Sequence, residues 1–267
     1  MNLSGVPCID THAHLSLLAS RGLDPHALLR EGFLKNLNSV IDVSLESGDL
    51  AGRIKEFSRY PAVRFASGLW PHANAIAERN RLVPLLEVEI NSAPKGLVRA
   101  LGEFGLDRRH NGEGADLGGE AELMDMQLAL AEKLKLPVII HSREAFAETL
   151  AILQKYPSVT GVIHCFSYTE HEAKKFLDRG YFISFAGNLS YKNALPVREA
   201  CRMIPDDRIL FETDCPYLAP VPYRGKAAHP LMVEETITLG AEIRAVSPQE
   251  LAGQLRVNTG ALFGTGF

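Results

Sequence analysis

Short, mostly apolar runs recur along the chain at 6–10, 39–43, 63–68, 97–102, 137–140, 159–163, 181–185 and 208–212, each followed by a longer stretch with room for a helix. The runs are near-continuous rather than alternating, as expected of strands covered on both faces in a parallel sheet. Several helix starts are signalled: Asp24 before Pro25, Thr169 followed by Glu172, and Ser247 ahead of Pro248 and Glu250. Gly180, after Leu177-Asp178-Arg179, marks a helix end before the next strand. Eight such βα units in 267 residues predict the α/β class and a closed (β/α)8 TIM barrel, with residues 1–267 as one domain. No Pro/Gly/Ser-rich linker divides the chain. The long polar, glycine-rich stretch from Leu106 to Glu120 reads as a surface loop positioned to rim a site.

Histidines and acids fall where the apolar runs end. His12 and His14 follow the first run, and residues i and i+2 of a strand point to one side. Glu103 follows the fourth run, His141 the fifth, His164 the sixth and Asp214 the eighth. In a closed barrel the carboxyl ends of the strands converge on one face, bringing these distant residues together. Singly, each is ordinary: a His-x-His pair falls readily in a loop, and His164 beside Cys165 suits a core histidine. An acid ending an apolar run is costly to bury without a cation or hydrogen bonds, which favours a shared metal site. Four imidazoles and two carboxylates exceed one four-coordinate ion and suit two ions, one on His12, His14 and Asp214, the other on His141 and His164, with Glu103 bridging. Two ions roughly 3.5–4 Å apart hold a bridging hydroxide and neutralise an oxyanion, as in phosphoester hydrolysis. Asp214 then orients that nucleophile or takes its proton.

Composition narrows the partners. The net charge is −4, and no basic run exceeds the pairs Arg108-Arg109 and Lys174-Lys175, so there is no polybasic stripe for a long duplex. Arg108, Arg109, Arg143, Lys192, Arg224 and Lys226 all follow strands and are expected to form a local cationic rim. The four cysteines form no C-x-x-C pair, which excludes a zinc finger and reads as reduced core thiols. The first ten residues lack a signal-peptide pattern and no apolar segment approaches the roughly 18 residues of a membrane span. The expectation is a cytoplasmic protein with no membrane partner and no obligate protein partner.

Five segments together resemble the TatD family of metal-dependent deoxyribonucleases, within the amidohydrolase superfamily. They are Ile9-Asp10-Thr11-His12-Ala13-His14-Leu15, Gly102-Glu103-Phe104-Gly105-Leu106-Asp107, Pro137-Val138-Ile139-Ile140-His141-Ser142-Arg143-Glu144-Ala145, His164-Cys165-Phe166-Ser167, and Glu212 through Pro220. A family-like tail follows at Asn258-Thr259 through Leu262-Phe263, so the match runs from about residue 8 to 264. The resemblance implies a barrel, two divalent ions, and hydrolysis of DNA phosphodiesters on single strands or 3′ ends. It also implies Glu103 and Asp214 as catalytic groups, Arg143 as a phosphate contact and His72 as a substrate contact. Mg2+ or Mn2+ suits work on DNA, while the imidazole-rich set also suits Zn2+, Co2+ or Ni2+.

The chain departs from the family pattern in three places. Trp70 stands where a histidine is usual, Tyr168 where glycine is usual, and Ala227-Ala228-His229-Pro230 replaces an arginine-asparagine-glutamate-proline run. Trp70 and Tyr168 are expected in the substrate site, where either ring offers a base a stacking face. Because the ligands remain while the substrate-reading parts differ, a second reading is a hydrolase of a small amide, lactone or phosphoester. A third is a non-catalytic metal-binding scaffold.

Overall fold

Eight parallel strands follow one another around the sheet in the computed structural model, which describes residues 5–111 and 117–266. They are β1 (Cys8–Ala13), β2 (Leu37–Val43), β3 (Val63–Ser67), β4 (Val98–Asp107), β5 (Val138–Arg143), β6 (Gly161–Ile163), β7 (Phe182–Phe185) and β8 (Ile209–Phe211). Each pairs with its sequence neighbour, and helices fill the crossovers, giving the (β/α)8 barrel. The seam between the last and first strands closes just beyond β8: Ala13 bridges Cys215, Asp214 N–H donates to His12 O at 2.9 Å, and His14 N–H donates to Cys215 O at 2.8 Å. Closure and the placing of three metal-type side chains are therefore one event.

Alternation along the strands separates two apolar layers. Ile139, Val162 and Leu210 share parity with His141, His164 and Glu212, and they cluster with Ile41, Val43, Ala66, Ala100 and Phe182 inside the barrel. Leu262 and Phe263 of the helix Pro248–Phe263 join that cluster. The larger layer, including Phe57, Phe65, Phe104, Phe176 and Phe211, packs strands against helices. The signalled helix starts are used. Asp24 accepts from His26 and Ala27 N–H, Thr169 and Glu172 form a capping box, and Ser247 accepts from Glu250 N–H, each worth about 1 kcal/mol. Gly180 ends its helix with φ +81°.

Two strand ends differ from expectation. β4 runs on to Asp107, so Glu103 lies within the strand, where the pairing with β5 is irregular between Gly102 and Phe104. β8 stops at Phe211, leaving Asp214 three residues beyond it with φ +56°. The stretch from Leu106 begins as strand and continues as a short helix, Arg108–Asn111, with another helix from Leu117; residues 112–116 lie outside the described residues. Gly105 permits the close approach of β4 to β5, since a β-carbon there would stand 1.8 Å from His141 O. Among the described residues, no helix is long and apolar enough to cross a membrane.

Candidate metal centre

The six metal-type residues meet at the carboxyl end of the barrel in two groups that share Glu103. Its Oε2 lies 2.9 Å from His12 Nε2 and 3.5 Å from His14 Nε2, while Asp214 Oδ1 lies 3.7 and 3.4 Å from the same two nitrogens. Its Oε1 faces the other way, 3.1 Å from His141 Nδ1 and 3.2 Å from His164 Nε2. His12, His14, Glu103 and Asp214 therefore form one potential ligand set and Glu103, His141 and His164 another, while His12, His164 and Glu212 also lie close enough to one another to share an ion.

Outer partners fix which nitrogen faces inward. His14 Nδ1 lies 2.9 Å from Val43 O, an acceptor only, so Nδ1 carries the proton and Nε2 presents a lone pair. By the same logic His164 Nδ1–H donates to Glu212 Oε1 at 3.2 Å, and His141 Nε2–H to Asp107 Oδ2 at 2.9 Å. Lone pairs then confront carboxylate oxygens and one another: His12 and His14 Nε2 are 3.3 Å apart, and His141 Nδ1 is 3.1 Å from His164 Nε2. Glu103 Oε2 is buried without a well-aligned hydrogen bond, and so is His12 Nδ1. With the imidazoles neutral, these converging acceptors away from water suit a shared cation, and in the metal-free protein protons on His14, His141 and His164 offset the crowding, so this donor set fits divalent metal ions.

The same crowding shifts the titrations. Burial opposes charge on His164, but Glu103 and Glu212 outweigh it and hold the imidazole well above its usual value. Burial is likewise outweighed at His14, by Asp214 and Glu103, and at His141, by Asp107 and Glu103. His12 moves down, because burial and the neighbouring His164 dominate. Against their own burial, Glu103 is held well below the carboxylate range by His164 and His12, and Asp214 below it by His14. Asp10 is pushed up to about 7 by burial, although it accepts hydrogen bonds from His12 N–H and from Thr213 N–H and Oγ1–H. It ties the His-x-His segment to the one carrying Asp214. Burial also keeps the Cys165 thiol protonated.

A cavity of about 740 Å3 opens over these groups, a size suited to an organic ligand rather than an ion alone. Four residues on its wall, Glu144, Cys165, Asp214 and Leu218, have φ between 45° and 56° despite carrying side chains. Such backbone is costly by about 1–3 kcal/mol per residue and is concentrated where function constrains the chain.

The expected substrate residues divide. Arg143, Trp70 and Tyr168 line the cavity. Arg143 is 47% exposed and 3.9 Å from Asp107, free to reach a ligand. Trp70 stands edge-on to His141, with ring centroids 5.6 Å apart, and to His110 at 4.8 Å. The Tyr168 hydroxyl is engaged by Ser142 Oγ at 2.8 Å and Ala145 N–H at 3.1 Å, so this residue braces the wall. His72 does not line the cavity; its Nδ1 accepts from Ala75 N–H and caps the helix Ala73–Ala77. The expected six-residue cationic rim reduces to Arg109 and Arg143. Arg108 is paired with buried Glu120, and Arg224 and Lys226 lie over the rings of Tyr191 and Tyr223. Lys192 and residues 227–229 do not line the cavity either. Sequence reasoning did not single out Asp107, Glu212, Tyr217 or Asn188. Asp107 had a signal, since it shares strand parity with Glu103.

Comparison with known proteins places this geometry in context. A family model described as "TatD related DNase" matches residues 9–264. The metal-dependent hydrolase YcfH of Escherichia coli K12 is 35% identical over 265 residues, covering 96% of this chain and 95% of YcfH. The metal-dependent hydrolase YabD of Bacillus subtilis strain 168 is 30% identical over 256 residues, covering 95% and 98%. The crystal structure of YJJV, a TatD homologue from Escherichia coli K12, superposes with a TM-score of 0.86 at 27% identity, covering 97% of this chain and 98% of YJJV.

Proposed function

The chain belongs to the TatD family of metal-dependent hydrolases, and on that premise we propose that it is a deoxyribonuclease hydrolysing phosphodiester bonds in single strands or at 3′ ends on a two-ion centre. The observation that carries the reading is Glu103, whose two oxygens divide between two sets of imidazole nitrogens. His12, His14, Asp214 and Glu103 would hold one ion, and His141, His164 and Glu103 the other. Mg2+ or Mn2+ are the working ions proposed, with Zn2+, Co2+ and Ni2+ as competitors for the imidazoles. When bound, divalent ions lower the pKa of water and neutralise charge growing on a phosphoryl oxygen.

The side chains supply the rest. Asp214 is ionised at neutral pH and reaches the cavity, so it serves as the base that takes the proton of the attacking water. Arg143 presents a guanidinium fork that matches two phosphate oxygens and orients the ester. Glu212, Asp107 and Val43 O fix the imidazole orientations, so the ligand geometry exists before substrate arrives.

The test is hydrolysis of end-labelled single-stranded oligonucleotides with Mg2+ or Mn2+, comparing the parent protein with His12→Ala and Asp214→Asn. Cleavage by the parent and at least about 100-fold loss in each variant are expected from loss of a ligand or base. Turnover of an amide, lactone or small phosphoester by a protein that leaves oligonucleotides intact would replace this reading.

A further inference from the structure

The cavity has a second, unassigned aromatic wall besides Trp70. In a closed barrel of eight strands, β1 faces β5 and β3 faces β7. Trp70, just beyond β3, is edge-on to His141 of β5. Tyr217, beyond β8, is edge-on to His14 beyond β1, with ring centroids 6.1 Å apart at 73°. Each half of the donor set thus has its own aromatic wall, and the two walls rise from strands three places apart around the barrel.

Tyr217 lines the cavity and is 41% exposed, and the Arg21 guanidinium lies over its ring, 5.9 Å from the centroid. Asn188, beyond β7, lines the cavity with Oδ1 buried and without a hydrogen-bond partner. A buried amide oxygen left unpaired is unfavourable, and a carboxamide pairs a donor with an acceptor as the edge of a nucleobase does. An aromatic face beside an unpaired carboxamide oxygen suits a nucleotide flanking the reacting phosphate.

We infer that the cavity is two-armed: Trp70 packs one base flanking the scissile phosphate, and Tyr217 with Asn188 holds the base on the other side. This rests on the deoxyribonuclease reading and deepens it: the enzyme selects diesters with a base on both flanks over monoesters and over diesters with one. Aromatic contacts of this kind are sequence-tolerant, so the selection is for the presence of bases rather than their identity.

The test crosses substrates with variants. Thymidylyl-thymidine and its two analogues, abasic on the 5′ or on the 3′ side, are presented to the parent protein, Trp70→Ala, Tyr217→Ala and Tyr217→Phe. In the parent, removing either base lowers kcat/KM by about 10-fold or more. Trp70→Ala abolishes the dependence on one flank only, Tyr217→Ala on the other only, and Tyr217→Phe retains both. Trp70 is the only tryptophan, so its fluorescence reports base contact without catalysis, in metal-free protein. The dinucleotide and one abasic analogue quench it, the other analogue does not, and Tyr217→Ala weakens the quenching titration about 5-fold or more. Dinucleotides that are bound and cleaved while both variants flatten the same flank, or neither does, overturn the two-armed cavity and leave the deoxyribonuclease reading standing. Absence of both cleavage and quenching with every dinucleotide overturns both.

Discussion

Glu212→Gln isolates the outer partner of one ligand. Glu212 is 1% exposed; Oε1 accepts from Cys165 N–H at 2.7 Å and His164 Nδ1–H at 3.2 Å, and Oε2 accepts from Ser184 Oγ–H at 2.6 Å. In glutamine the carbonyl oxygen keeps the first two bonds, and the Ser184 hydroxyl rotates to accept from the new NH2. Shape and connectivity survive, but the negative charge behind His164 is gone. His164 then loses one of the two carboxylates that hold its basicity up, and its Nε2 becomes a poorer ligand. Loss of such a partner costs about 10- to 100-fold in metal affinity, or roughly 1.4–2.7 kcal/mol. Competition against a chromophoric chelator measures it directly, with the metal-free melting temperature as the control for folding. A variant that binds metal within twofold of the parent refutes the claim that Glu212 tunes this ligand. Glu212→Ala differs, because it leaves three buried donors unpaired at about 1–3 kcal/mol each. That approaches the roughly 5–15 kcal/mol of a whole domain, so this variant is expected to be largely insoluble.

Three further outcomes follow from the geometry. His14, His141 and His164 are raised above their unfolded value of about 6.5, so their contribution to stability is complete below that pH and lost as pH rises through the folded values; His12, lowered, acts oppositely. The metal-free protein should therefore melt at progressively lower temperature as pH is raised from 6.5, and added metal should stabilise it more at the alkaline end; a metal-free melting temperature that rises with pH contradicts this. Gly105→Ala drives a β-carbon into His141 O and should cost at least about 2 kcal/mol in urea unfolding, whereas a change under about 0.5 kcal/mol would show that β4 and β5 adjust freely. Arg143→Ala should raise KM for phosphodiesters about 10- to 100-fold while bound metal stays unchanged, and an unaltered KM removes the phosphate role.

The barrel was legible because its strands are buried on both faces and so stand out as apolar runs, and because Asp24, Thr169 and Ser247 signal helix starts locally. The residues brought together at the metal centre were legible for the same reason: a histidine or acid that ends an apolar run is costly to bury unless it has something to bind. Interactions between distant segments were not legible. The pairing of Arg108 with Glu120 and the seat of Arg224 on Tyr191 depend on tertiary approach, so cations that look available in the sequence are already engaged. Nor was the use of the His72 ring nitrogen as a helix cap legible, since histidine is not among the residues that signal a helix start. Asp107 was hidden by the expected end of the fourth strand; extending it by five residues puts Glu103 and Asp107 on one face.

The central claim is that Glu103 joins two metal positions, and the most direct measurement is the stoichiometry of Mn2+ binding by isothermal titration calorimetry for the parent protein and Glu103→Ala. Two ions per chain in the parent, with affinity falling at both positions in the variant, is the predicted result. A single ion per chain at saturation, or a variant that loses one ion and binds the other as tightly as the parent, would contradict it.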